Sequence, residues 1–173
     1  LVHYKLDMNE GTLVLTFSET MDAQSIVAKD NIQIQSAAAA TGAKVAVLEG
    51  PTSVTQDDNT TIKIKLLDTD LELLKLDDGI ATDKDAANSN FDTYLSFNND
   101  FIQDQAGVSA VAITADDAQK RNAYTADQTK PKLESTAYNV NDGVLTLVFD
   151  ESIRHLKVLP GSVTLKESLV NPA

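Results

Sequence analysis

Cysteine and tryptophan are both missing from these 173 residues, and basic side chains are scarce. Without cysteine there is no disulfide framework, no thiolate metal site and no thiol nucleophile. Fourteen Lys and Arg face 26 Asp and Glu, for a formal net charge of -12. Such a field repels a nucleic-acid duplex, and no basic stripe interleaved with aromatics offsets it. The same charge disfavours an anionic membrane surface and favours cations. No apolar run reaches the roughly 18 residues of a membrane span, so none is expected in this segment. No charged-then-apolar leader opens the chain. The first residues already read as the inside of a strand, so an interior segment of a longer or processed polypeptide is expected.

What is present is an internal repeat. Residues 1–21 read LVHYKLDMNEGTLVLTFSETM and residues 133–153 read LESTAYNVNDGVLTLVFDESI. Without a gap, Leu1, Asn9, Gly11, Leu13, Leu15, Phe17 and Glu19 meet Leu133, Asn141, Gly143, Leu145, Leu147, Phe149 and Glu151. With a one-residue slip, Ile32 and Ile34 meet Val163 and Leu165. The matches fall on alternating positions and on a glycine flanked by turn formers, the signature of a β-hairpin. Leu13, Leu15 and Phe17, and likewise Leu145, Leu147 and Phe149, share one face of a half-buried strand. Asn9-Glu10-Gly11 and Asn141-Asp142-Gly143 supply the turn. Residues 2–8 and 136–140 would pair antiparallel with these strands.

Between the copies, strands are predicted near 31–35, 43–48, 61–66, 93–97 and 108–113. Thr69 followed by Glu72 forms a capping-box pattern and starts one short helix, with Leu71 and Leu74 facing the core. Residues 53–60 and 77–90 read as surface loops, and Ala37–Ala40 as a helical turn or a loop. The run 129–132, with Pro131, reads as a connector, because proline resists a central strand. The expected organisation is all-β: one domain over 1–128, a linker over 129–132, and the start of a second repeat over 133–173.

GTLVLTFSETMDAQSI, then KIKLLDTDLELLKL, then TYLSFNNDFIQDQAGVSAVAI together resemble the tandem Ig-like repeats of large surface proteins of bacteria and aquatic microbial eukaryotes, in the style of S-layer and adhesin domains. The elements that carry the resemblance are Leu13–Glu19 and Asp104-Gln105-Ala106-Gly107, and it covers most of residues 1–113. It implies an Ig-like antiparallel β-sandwich, extracellular or cell-surface display, and a structural or adhesive role. The chain departs from the usual compact repeat by extra material near 77–92 and 114–128.

Catalysis finds no support in motifs. The two histidines, His3 and His155, occupy non-equivalent places in the two copies, and no nucleophile elbow, zinc-protease, P-loop or dinucleotide fingerprint occurs. No enzyme is expected and no cofactor is required. Glu19 and Glu151 recur just past the last core-facing Phe of their strands. With Asp7 and Asp104 they would suit calcium, which takes six to eight oxygens from several segments; the other reading is a solvated strand end. Asn59-Thr60-Thr61 is an N-glycosylation sequon.

The second copy offers three strands at most, leaving exposed edges and half a core. It would continue in a longer chain, add strands to a neighbouring copy, or be an isolated fragment. Head-to-tail association is the expectation, with Leu145, Leu147, Phe149, Val163 and Leu165 packing on the next copy, because such non-closing contacts build filaments. The alternative is an adhesin or carbohydrate-binding module. Its exposed rings would have to come from Tyr4, Tyr124 and Tyr138, since Tyr94 and Phe97 read as core.

Overall fold

The computed structural model describes residues 1–82, 92–153 and 160–164. Two compact units divide between Lys130 and Pro131. The first opens with strands β1 (His3–Asp7) and β2 (Thr12–Thr16), then β3 (Ile32–Gln35), β4 (Val45–Val47), β5 (Pro51–Gln56) and β6 (Thr61–Leu66). Helix α1 (Asp68–Leu76) follows, then β7 (Tyr94–Phe97), β8 (Gln119–Lys120) and β9 (Ala123–Thr125). The fold is thus built of strands with one short helix, as the period-two patterns predict.

A five-stranded sheet runs in the order β5-β6-β2-β1-β9, and a four-stranded sheet in the order β4-β3-β7-β8. Side chains alternate across each strand. Tyr4, Leu6, Leu13, Leu15, Ile62 and Ile64 from the larger sheet therefore meet Ile32, Ile34, Leu95 and Phe97 from the smaller in one core. Between them, Lys5, Val14 and Lys63 fall on the opposite face of the larger sheet. All pairs in both sheets are antiparallel except one: β9 runs parallel to β1, with Lys5, Leu6 and Asp7 beside Ala123, Tyr124 and Thr125.

Several expectations need correction. Residues 53–56 are not loop: β5 pairs with β6 along its length, and only 57–60 turn the chain. The run is polar because β5 is an edge strand with little to bury. Residues 108–113 form no strand. Their backbone is shared between two partners, Ala110 N–H donating to Ile102 C=O while Ile113 and Phe97 exchange both bonds, which leaves isolated bridges. The helix starts at Asp68, after Leu67, with no side-chain cap, so Thr69 lies inside its first turn. Within the segment read as surface loop, Ile80 and Ala81 are buried, while residues 83–91 lie outside the described residues. The 114–128 region supplies β8 and β9, and of the two readings of Ala37–Ala40 the loop is the one observed.

The second unit contains β10 (Leu133–Asn139) and β11 (Val144–Phe149), paired antiparallel as a two-stranded sheet.

Candidate assembly surface

The repeated hairpin can be compared pair by pair. In the first unit His3, Tyr4, Lys5, Leu6 and Asp7 stand opposite Thr16, Leu15, Val14, Leu13 and Thr12. In the second, Ser135, Thr136, Ala137, Tyr138 and Asn139 stand opposite Val148, Leu147, Thr146, Leu145 and Val144. Every position is advanced by 132, so the two hairpins share one register. The turns agree as well. Asp7 Oδ1 accepts from the Asn9 amide at 2.9 Å, and Asn139 Oδ1 accepts from the Asn141 amide at 3.0 Å. Gly11 and Gly143 both take positive φ, 59° and 65°.

The two hairpins differ in what surrounds them. In the first unit β2 is flanked by β6 and β1 by β9, and Tyr4, Leu6, Leu13 and Leu15 are at most 1 % exposed. In the second unit the equivalent face carries Thr136 and Tyr138, both exposed, and Leu145, Leu147 and Phe149, each half-buried. Val144 and Val148 on the opposite face are 52 % and 44 % exposed. Among the described residues β11 pairs with β10 alone. A two-stranded ribbon is marginally stable alone, so its apolar face needs cover, from elsewhere in this chain or from another. Val163 is also exposed, and Leu165 lies outside the described residues.

Of the carboxylates considered for calcium, the three in the first unit do not form one cluster. Asp7 ends β1 beside the turn, where its Oδ1 takes the amides of Asn9 and Glu10. Glu19 follows β2 at the other end of the same hairpin, because the strands are antiparallel. Asp104 bridges Met21, nearer Glu19, but its Oδ1 already accepts from Ala106 and Val108 at 2.8 Å each. Glu151 belongs to the second unit. Among the described residues no group of three or more His, Asp or Glu could hold a metal ion. The acidic pattern that suggested calcium marks an Asx-type turn at Asp7 and again at Asp104.

Asn59 is exposed at the tip of the β5–β6 hairpin. Its carbonyl accepts from Met21 N–H, and the neighbouring Asp58 carboxylate binds the amides of Thr60 and Thr61 at 2.7 Å each. The Thr60 amide holds the Asp58 carboxyl below its ordinary range. The sequon thus occupies a fixed turn with its side chain open to solvent.

The candidate sugar platforms are mostly occupied. Tyr4 is wholly buried and its hydroxyl donates to Thr93 C=O at 2.9 Å. Tyr124 is half-buried, donates to Ala81 C=O and lies under the Arg121 guanidinium. Burial accounts for both corrections, since a strand-borne tyrosine in a small core buries its ring and satisfies its hydroxyl with a carbonyl. Tyr138 alone of the three is exposed. An open groove of about 250 Å³ beside the four-stranded sheet is lined by Asn31, Gln33, Asn98 and Thr114. Two of its amides bond one another, Asn98 Nδ2 to Asn31 Oδ1 at 2.7 Å.

Sequence reasoning found the hairpin but missed Asp70 and Gln35, two of the buried polar side chains, whose hydrogen bonds join separate segments. Asp70 accepts the amides of Glu49 and Gly50. Gln35 donates to the carbonyls of Ala37 and Ala115 and accepts from Ser96. Asp70 has no local signal because its partners lie about twenty residues away, and Gln35 depends on Ser96 and Ala115 as well as on nearby Ala37. No described helix is long and apolar enough to cross a membrane. No protein-family model, curated protein or solved structure matches the chain, and the functional reading therefore rests on the duplicated hairpin and its open face.

Proposed function

We propose that this chain is a structural module of an extracellular filament or surface layer, made of Ig-like β-sandwich repeats that join head to tail by packing or strand addition. One observation carries the reading. The hairpin β10–β11 repeats β1–β2 register for register, yet the face that is fully buried in the first unit is, among the described residues, only half-buried in the second. The two sheets over one core support the sandwich, and the resemblance of residues 11–26, 63–76 and 93–113 to surface-protein repeats supports display outside the cell. Asn59, exposed on its turn, is the acceptor for an N-glycan if the chain passes through a eukaryotic secretory pathway.

The test is the association state of the whole chain. Sedimentation velocity over a wide concentration range should show species that grow with concentration, and negative-stain images should show strings with a regular axial spacing. Leu147→Asp, which puts a charge on the open apolar face, should shift the distribution towards monomer. A monomer unchanged at every concentration would sink the proposal.

A further inference from the structure

The strand edges of this chain are not alike. Each outer strand of the first unit is blunted in a way that discourages pairing. β4 and β9 have three residues each, and β8 has two. β5 is longer, but it begins with Pro51 and carries a register shift between Pro51 and Ser53. β11 has none of these protections. Its six residues, Val-Leu-Thr-Leu-Val-Phe, include no charge, proline or glycine, and all but Leu favour strands. Among the described residues its second edge meets no other strand.

The first unit specifies what this edge accepts. There, β2 is paired with β6, Leu13 opposite Ile64 and Leu15 opposite Ile62, with Val14 opposite Lys63 and Thr12 opposite Lys65. The ladder is prolonged at both ends, by Phe17 N–H to Thr60 C=O and by Leu66 N–H to Gly11 C=O. Advancing each β2 position by 132 gives Leu145, Leu147, Thr146, Val144, Phe149 and Gly143. Glu134, Asp142, Asp150 and Glu151 lie on or beside the hairpin against Lys132, with Arg154 and Lys157 following in sequence, and the β6 pattern places cationic residues between its apolar ones.

We infer that the second edge of β11, which meets no other strand among the described residues, binds an antiparallel polypeptide strand of the β6 pattern, apolar at alternate positions with lysines between. Leu145 then stands opposite the residue equivalent to Ile64, and Leu147 opposite that equivalent to Ile62. This inference names the partner for the assembly surface proposed above and rests on that reading for its biological setting. The main-chain ladder supplies affinity and the alternating apolar pockets supply register.

The test uses the full chain and a capped peptide of residues 60–67 as the probe, with its Ile62→Lys, Ile64→Lys form as control. The peptide should bind saturably and slow amide exchange across Val144–Phe149. The control should bind at least about tenfold more weakly, because two apolar contacts are lost. Leu145→Asp in the chain should weaken the unaltered peptide in the same way. Since that variant also loosens the hairpin, the peptide control on the unaltered chain decides the matter. No saturable binding, equal binding of the control, or protection confined to other strands would overturn the inference. Peptide binding by a chain that stays monomeric leaves the strand site standing and removes the assembly reading. Concentration-dependent association that the peptide neither joins nor disrupts keeps assembly and removes the strand site.

Discussion

Asp70 lies in the first turn of α1, only 1 % exposed, with its two oxygens turned to the amides of Glu49 and Gly50 at 3.0 Å and 3.3 Å. Those amides follow β4 and precede β5, so one carboxylate pins the helix to the corner where the chain passes between the two sheets. Its position near the helix N-terminus also places negative charge where the helix dipole favours it. Asp70→Ala leaves two part-buried amides without their acceptor and should lower the unfolding free energy by about 1–3 kcal/mol. Asp70→Asn, which keeps one oxygen, should lose less. Urea unfolding of the two variants checks the order, and equal stability of Asp70→Ala and the parent chain would refute the role.

At the scale of elements the hairpin turn gives the sharpest comparison. Gly11 and Gly143 have nearly the same positive φ, but a Cβ on Gly11 would sit 3.1 Å from Leu71 Cδ2, whereas nothing lies within 4 Å of one on Gly143. Gly11→Ala should therefore lower stability by at least about 1–2 kcal/mol from the backbone alone, with crowding against α1 added. Gly143→Ala carries the backbone term only. Denaturant titration distinguishes them, and a harmless Gly11→Ala would contradict the packing of α1 on this turn. The hairpins were legible in sequence because everything that specifies them is local: the alternation of Leu13, Leu15 and Phe17, and a glycine flanked by turn formers. The elements that escaped are those specified from a distance. β9 is three residues held by parallel pairing to a strand more than a hundred positions earlier. β5 looks like loop because Val54 is its one apolar residue facing the core side. Glu19 and Asp7 cannot share one ion within the hairpin, since antiparallel strands carry those residues to opposite ends.

At the scale of the whole first unit, two tyrosine hydroxyls tie distant segments together. Tyr4 on β1 donates to Thr93, at the entry to β7 in the other sheet, and Tyr124 on β9 donates to Ala81. Burial pushes Tyr124 up to about 12, with Asp92 adding to the shift and Arg121 opposing it, and burial raises Tyr4 in the same direction. Both groups are neutral donors in the folded state and ionise near about pH 10 once unfolded. Their contribution is thus complete below about pH 10 and is lost as the pH rises through the folded value. Urea midpoints should fall between about pH 10 and about pH 12, and Tyr124→Phe should flatten part of that slope. A midpoint that holds constant over this range would contradict the assignment.

The parallel pairing of β1 with β9 has a mechanical meaning. The unit is entered at the start of β1 and left beyond the end of β9, and the two strands lie side by side pointing the same way. Tension drawn through such a unit slides the strands past one another, so the rungs at Lys5–Ala123, Leu6–Tyr124 and Asp7–Thr125 share the load together instead of opening one after another. Where the chain leaves, Thr129 and Gln128 are also bound to the side-chain oxygen of Asn9, which anchors the exit to the first hairpin. Within this unit, the β1–β9 rungs form the ladder that such a pull would load in shear.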